Sequence, residues 1–306
     1  MNTLGLEKAN IHRVKQGMML VSFPCLTCII TPFGAQTETS SVRSTILWQT
    51  QTHSINMTSP IIFYDLPSTL TVNAWSPNTW KTRYALNIKG VAYKTEWVEY
   101  PDIEALAKKI GAPPTGAKAD GSPSYTLPII NDPNTGKVVS DSFLIAEYLD
   151  ATYPSGTTLF PPGTKPLMAA LEAGVIGGIG SIFPHQLAIS CYILNPSSEK
   201  YFRATREATY GKKIEEFSPA GAQRDADWAK AKEGLAAVDG WLSKNGGGKF
   251  VMGNTVSYAD GILGAWLTWI KIANGESSAA WKDFASWHGG RWGTYITNLQ
   301  PFATVL

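Results

Sequence analysis

The sequence predicts an α/β domain built on a mixed sheet, followed by a domain made only of helices. Two patterns carry this. Between Ile61 and Tyr153, short apolar or β-branched runs alternate with helical stripes in the order β-α-β-α-β-β-α over about ninety residues, which implies a mixed sheet with helices on both faces. After Phe160-Pro161-Pro162-Gly163 no strand signal returns, and helical spacing takes over. The length, 306 residues, accommodates two ordinary domains, and a hydrophobic content of 44% supplies a sizeable core.

Ile61-Ile62-Phe63-Tyr64 is a short apolar strand. A polar loop then ends in Asn73-Ala74-Trp75, and Ser76-Pro77 opens a helix: serine is a favoured N-cap and proline a favoured first helical residue. Trp80, Tyr84 and Ile88 recur every fourth residue, and Gly90 ends the helix. Tyr93 to Val98, aromatic and β-branched, is the second strand. Pro101 to Ile110 is a helix, and the Gly/Pro/Ser-rich stretch Gly111 to Ser124 a long loop. Thr126 to Ile130 is a strand with Pro128 near its start, and the turn Asn131 to Gly136 returns Lys137-Val138-Val139 as its partner. Asp141-Ser142 opens a helix that Tyr153-Pro154 closes.

In the second domain Lys165 to Leu194 is mostly helical, weakened by Gly174, Gly177, Gly178 and Gly180 and kinked at Pro184. Those glycines suit close helix–helix packing, or room for a ligand. Ser198 to Phe217 and Asp225 to Ser243 carry helical spacing. Ser257-Tyr258-Ala259-Asp260 is a capping box launching a helix with Ile262, Leu263, Trp266, Trp269 and Ile270.

Residues 1–56 differ from the rest. An uncharged stretch from Gly17 to Thr37 follows His12, Arg13 and Lys15, but Pro24 and Pro32 break any membrane-spanning helix. Gln36 to Ser54 is Ser/Thr/Gln-rich and aperiodic. The segment is expected to be a disordered extension, or sequence upstream of a start at Met57, rather than a targeting signal. The domains are expected to span 57–154 and 163–306.

A net charge of +2 without basic runs argues against nucleic-acid binding. Three cysteines exclude a disulfide scaffold, and Cys25-Leu26-Thr27-Cys28 sits in a Pro-containing apolar run rather than at a strand-to-helix turn. The four histidines are scattered without ligand spacing, so no metal is expected. Packing accounts for most of the 11 tryptophans, with a pocket for flat apolar ligands as the functional alternative.

An α/β domain of the thioredoxin-like order followed by a helical domain resembles the cytosolic glutathione transferases. The helix Ser76 to Gly90 resembles the family's first helix, with its catalytic serine before proline. Leu127-Pro128 matches the dipeptide whose cis-proline positions the glutathione backbone, Asp141-Ser142 the acidic-Ser pair that grips the γ-glutamyl end, and Ser257 to Asp260 the capping box of the second domain's long helix. Asn73-Ala74-Trp75-Ser76-Pro77-Asn78-Thr79-Trp80-Lys81 is similar to the fungal A (FuA) class, related to bacterial β-etherases and associated with phenolic and wood-derived compounds. The resemblance implies glutathione as co-substrate, a homodimer, and a cytoplasmic, xenobiotic-detoxifying enzyme without stable membrane insertion.

The implied chemistry is physically sound. A free thiol titrates near about pH 8.5, so little thiolate exists at neutrality. Ser76 is too weak an acid to serve as a base, but its hydroxyl donates to a sulfur anion. A hydrogen bond to a charged acceptor contributes about 1.5–3 kcal/mol, or roughly one to two pKa units, and a helix N-terminus adds positive potential. Plain capping is the competing role for Ser76. Asn78 rivals it as thiolate donor, with Thr79 weaker. A helix N-terminus with the Ser142 N–H and hydroxyl suits the γ-glutamyl carboxylate, and Asp141 suits its ammonium. Leu127 offers backbone N–H and C=O, and Pro128 shapes the bend. Tyr125-Thr126 stands where the family often has a basic residue for the glycyl end. Trp75, Trp80 and Phe183 are candidates for the electrophile site; His185 reads as a hydrogen-bonded core residue. Without a cysteine at position 76, conjugation or ether cleavage is expected over thiol exchange. The alternatives are non-catalytic binding of apolar phenolics and a pure interaction module, the latter disfavoured by intact glutathione motifs.

Overall fold

The computed structural model describes residues 58–306; the expectations for residues 1–56 and Met57 lie outside the described residues. The first elements are β1 (Ile61–Asp65), α1 (Pro77–Lys89), β2 (Tyr93–Trp97), α2 (Ile103–Ile110), β3 (Gly116–Ala117), β4 (Pro123–Ser124), β5 (Ile129–Asp132), β6 (Lys137–Ser140) and α3 (Ser142–Thr152). The sheet runs β2-β1-β5-β6, with β1 parallel to β2 and antiparallel to β5, and β5 antiparallel to β6. A parallel pair needs a crossover, which α1 supplies. The mixed sheet and the β-α-β-α-β-β-α order are as the sequence predicts, with β3 and β4 pairing separately as a small hairpin.

The helices α4 (Lys165–Ile179), α5 (Phe183–Tyr192), α6 (Pro196–Tyr210), α7 (Ala222–Leu242), α8 (Tyr258–Asn274) and α9 (Ala279–Leu299) form the remainder. Among the described residues, the only extended pairing after β6 is the pair of isolated bridges Phe250–Gly253 and Met252–Thr255. The expected kink between 165 and 194 is a full break: a 3-10 turn at Gly180–Ile182 separates α4 from α5. Pro184 causes it, because its ring has no N–H for the Gly180 carbonyl one turn earlier. Lys165–Tyr192 is long and apolar enough by length and composition to cross a membrane. Its polar side chains are nonetheless tied into the helical domain, with Trp269 donating to Ser190, Asn274 to Gln186, and His185 paired to Asp227.

α1 is the element that sets the site. Its Trp80, Tyr84 and Ile88 stripe is buried, and it packs on α3 and α8, where the Tyr84 and Thr268 hydroxyls meet at 2.8 Å. Gly90 ends it at φ 68°, a left-handed conformation that glycine adopts without penalty. A solvent-free ion pair, Arg83 to Asp65 at 2.6 Å, ties α1 to the end of β1. The Phe63, Trp80, Tyr93 and Trp97 rings surround the guanidinium. Burial pushes the Asp65 carboxyl upward against the opposing pull of Arg83. Removing one partner of such a pair costs about 3–5 kcal/mol, so the position of α1 over the sheet is firmly held. Trp75, Trp80, Trp266, Trp269, Trp281, Trp287 and Trp292 are buried, so packing does take most of the tryptophans.

Candidate active site

Strand register brings the segments that carry Leu127-Pro128 and Asp141-Ser142 to one end of the sheet. Ile129 of β5 pairs with Tyr64 near the end of β1 and with Ser140 at the end of β6. Leu127-Pro128 leads directly into Ile129 and Ser140 leads directly into Asp141-Ser142, so both segments reach that end of the sheet. The chain leaving β1 at that end leads to Ser76 and the N-terminus of α1.

Ser76 occupies the N-cap position of α1 in an extended conformation (φ −66°, ψ 130°), yet its side chain makes no capping hydrogen bond. Its backbone carbonyl does the local work, accepting from Trp80 N–H at 2.9 Å and from the Thr79 hydroxyl at 3.1 Å. The residue is buried and lines a cleft of about 310 Å³. A capping serine spends its oxygen on an N–H of the first turn; this one does not, so its hydroxyl is available. Asn78 is exposed and lines the same cleft. Thr79 is fully buried and bound to Ser76.

Leu127 lines the cleft, and its bond to Pro128 is cis. Among the described residues neither its N–H nor its C=O has a hydrogen-bond partner. Asp141 has φ 79° and ψ 130°, outside the conformations an aspartate ordinarily adopts, at a cost of about 1–3 kcal/mol. Its Oδ1 accepts from Phe143 N–H at 2.8 Å and Leu144 N–H at 3.1 Å, so one carboxylate oxygen caps α3. Ser142, buried at the first position of α3, faces the Tyr258 hydroxyl, which burial holds well above the usual tyrosine range.

Three expected substrate residues lie elsewhere. Trp75 donates its indole N–H to the Pro67 carbonyl and Trp80 to the Ala74 carbonyl, with both rings buried. Phe183 stacks on Trp266 at 5.5 Å and meets Trp269 edge-on. None of the three lines the cleft holding Ser76, and neither do Pro128, Asp141 and Ser142. His185 is buried, with Nδ1 2.9 Å from the Ser218 hydroxyl and Nε2 3.0 Å from Asp227, the hydrogen-bonded core role expected of it.

The cleft also holds residues the sequence did not single out: Tyr100, Lys118, Tyr201 and Arg206. Lys118 comes from the β3–β4 hairpin, inside the stretch read as a plain loop. Lys118 N–H donates to Ser122 C=O at 2.7 Å across Asp120-Gly121. That Asp-Gly pair is the signal that would have found the hairpin. A basic residue is therefore present near Tyr125-Thr126 after all, paired with Glu104 at 2.7 Å. Tyr201 and Arg206 reach the cleft from α6, which is docked by Tyr100 N–H donating to the Ser198 hydroxyl.

Comparison with known proteins agrees with the fold. The family model described as Glutathione S-transferase, N-terminal domain matches residues 75–152, and that described as Glutathione S-transferase, C-terminal domain matches 172–302. A glutathione S-transferase-like protein of Aspergillus flavus, ustS, is 32% identical over 275 residues, covering 76% of this chain and 92% of that protein. The crystal structure of glutathione S-transferase CsGST63524 of Ceriporiopsis subvermispora, in complex with glutathione, is 44% identical at a TM-score of 0.77, covering 81% of this chain and 99% of the other. Glutathione transferase GSTFuA3 of Phanerochaete chrysosporium is 46% identical, with the same TM-score and coverage.

Proposed function

The chain belongs to the glutathione S-transferase family, and we propose that Ser76 holds the sulfur of glutathione as a thiolate for attack on an aromatic or phenolic electrophile. It is a glutathione transferase with glutathione as its co-substrate, resembling fungal enzymes of the FuA class. Glutathione supplies the nucleophilic sulfur. The uncommitted Ser76 hydroxyl at the N-terminus of α1 carries the reading. It donates one hydrogen bond to the sulfur, and the positive end of α1 points the same way. Asn78 is the second donor in reach of the cleft. The unpaired backbone of Leu127 aligns the cysteinyl part, and Pro128 fixes its bend. The Ser142 N–H and hydroxyl take the γ-glutamyl carboxylate, and the Asp141 oxygen not used in capping takes the ammonium.

Residues 57–154 form the glutathione-binding domain in this reading, and 163–306 the electrophile-binding domain. The protein acts as a cytoplasmic homodimer in detoxification. Leu144 on α3 and Leu167 on α4 favour the dimer, being large apolar side chains more than half exposed on the single chain. The test is turnover by the wild-type protein of chlorodinitrobenzene and of an aryl ether that releases a fluorescent phenol. Conjugation or ether cleavage dependent on glutathione supports the reading. Tight phenolic binding with no turnover of either compound favours a carrier.

A further inference from the structure

The α6 side of the cleft carries an aromatic surface and an uncompensated cation. Tyr100 and Tyr201 stack at 5.8 Å with planes 10° apart, and Tyr201 remains 44% exposed. The Arg206 guanidinium sits 5.9 Å from the Tyr100 ring and 4.4 Å from that of Phe202. Its side-chain hydrogen bond goes to the neighbouring Thr205 hydroxyl, and among the described residues it makes no ion pair. Arg203 on the same helix, by contrast, is within ion-pair distance of Glu199, Glu207 and Glu215. Glu104, the one carboxylate lining the cleft among the described residues, is already held by Lys108 and Lys118. The Tyr100 hydroxyl, its pKa pushed up to about 12 by burial, stays protonated and adds no negative charge.

A half-buried arginine with free N–H groups beside an open aromatic face recognises a flat ring bearing an anion. We propose that Arg206 selects, among aromatic electrophiles, those that carry a carboxylate or similar anionic group, with the ring lying against Tyr201. This rests on the transferase reading above and adds a charge preference to it. The rival occupant of the same guanidinium is the glycyl carboxylate of glutathione.

The test pairs chlorodinitrobenzene with its ring-carboxylated analogue, chlorodinitrobenzoate, for the wild type, Arg206→Gln and Arg206→Lys. In each, thiolate attack forms the carbon–sulfur bond and chloride leaves. The readout is the ratio of the KM for the carboxylated compound to that for the neutral one, which cancels a general loss of folded protein. Arg206→Gln is expected to raise that ratio about tenfold, the lower end for a charge-assisted bond at a part-exposed site, and Arg206→Lys to recover part of it. The same ratio in the wild type and Arg206→Gln overturns the inference while conjugation itself stands. A rise confined to the glutathione KM, equal with both electrophiles, overturns it by giving the guanidinium to the glycyl carboxylate. No turnover of either compound by the wild type overturns the transferase reading beneath it.

Discussion

Gly234→Ala is expected to destabilise the helical domain, although helix propensity alone argues the opposite. Gly234 lies within α7 where that helix crosses α4 at Gly178. A Cβ added at Gly234 meets the Gly178 carbonyl oxygen at 2.3 Å and its Cα at 2.6 Å. Both are backbone atoms and cannot swing aside, so α4 and α7 must separate. Alanine in place of a helical glycine gains about 0.8–1 kcal/mol, while overpacking costs about 1–3 kcal/mol. With backbone on the far side the cost falls in the upper part of that range, leaving a net loss of about 1–2 kcal/mol. Gly240, later in the same helix, supplies the control, because a Cβ there has nothing within 4 Å. Gly240→Ala should show the propensity gain alone. At about 2–4 °C per kcal/mol for a domain of this size, thermal unfolding should fall by about 4 °C for Gly234→Ala and rise by about 2 °C for Gly240→Ala. Equal increases for the two would refute the close-approach argument.

Two further outcomes follow from carboxylates hydrogen-bonded within the fold. The Asp260 carboxylate accepts from Ser257 N–H and Val251 N–H, each at 2.8 Å, and from the Tyr295 hydroxyl at 2.5 Å. Asp260→Asn turns one acceptor into a donor facing donors and should cost about 2 kcal/mol, seen as a thermal midpoint about 4–8 °C lower. Asp150 titrates below its ordinary range: burial raises it, but the Lys89 ammonium at 2.8 Å and the Leu159 and Phe160 N–H groups prevail. A depressed folded pKa means that its contribution is full above the unfolded value and lost as pH falls through the folded one. Thermal midpoints taken from about pH 6 to about pH 3 should therefore fall less for Asp150→Asn than for the wild type.

The elements that local chemistry dictates were legible in the sequence. α1 announced itself by Ser76-Pro77, an apolar stripe at every fourth residue and Gly90; α8 announced itself by its capping box. The order of strands and helices followed from alternation alone. What escaped depends on contacts distant in sequence. Periodicity marks Trp75, Trp80 and Phe183 as apolar but does not say whether a ring lines a cleft or the core, and none of the three lines the cleft that holds Ser76. Tyr201 and Arg206 belong to the cleft only because α6 docks on Tyr100. The left-handed backbone at Asp141 has no sequence signature, since a residue other than glycine takes it only when its surroundings impose it. The hairpin carrying Lys118 is local, but its strands of two residues are too short for alternation to register, and only the Asp120-Gly121 turn marks it. The sequence leaves Ser76 between capping and donation, and the absence of a side-chain capping bond removes only the first.

The most direct test of the account is the absorbance of bound glutathione thiolate across pH, in the wild type, Ser76→Ala and Asn78→Ala, with thermal midpoints recorded alongside. The account predicts a bound thiol titrating below the free value of about 8.5. Ser76→Ala should raise it by roughly one to two units with little change in the midpoint, because no capping bond is lost. Asn78→Ala should leave it in place. A wild-type thiol that titrates at the free value, or a Ser76→Ala protein that loses stability while its bound thiol is unmoved, would contradict the central role given to Ser76.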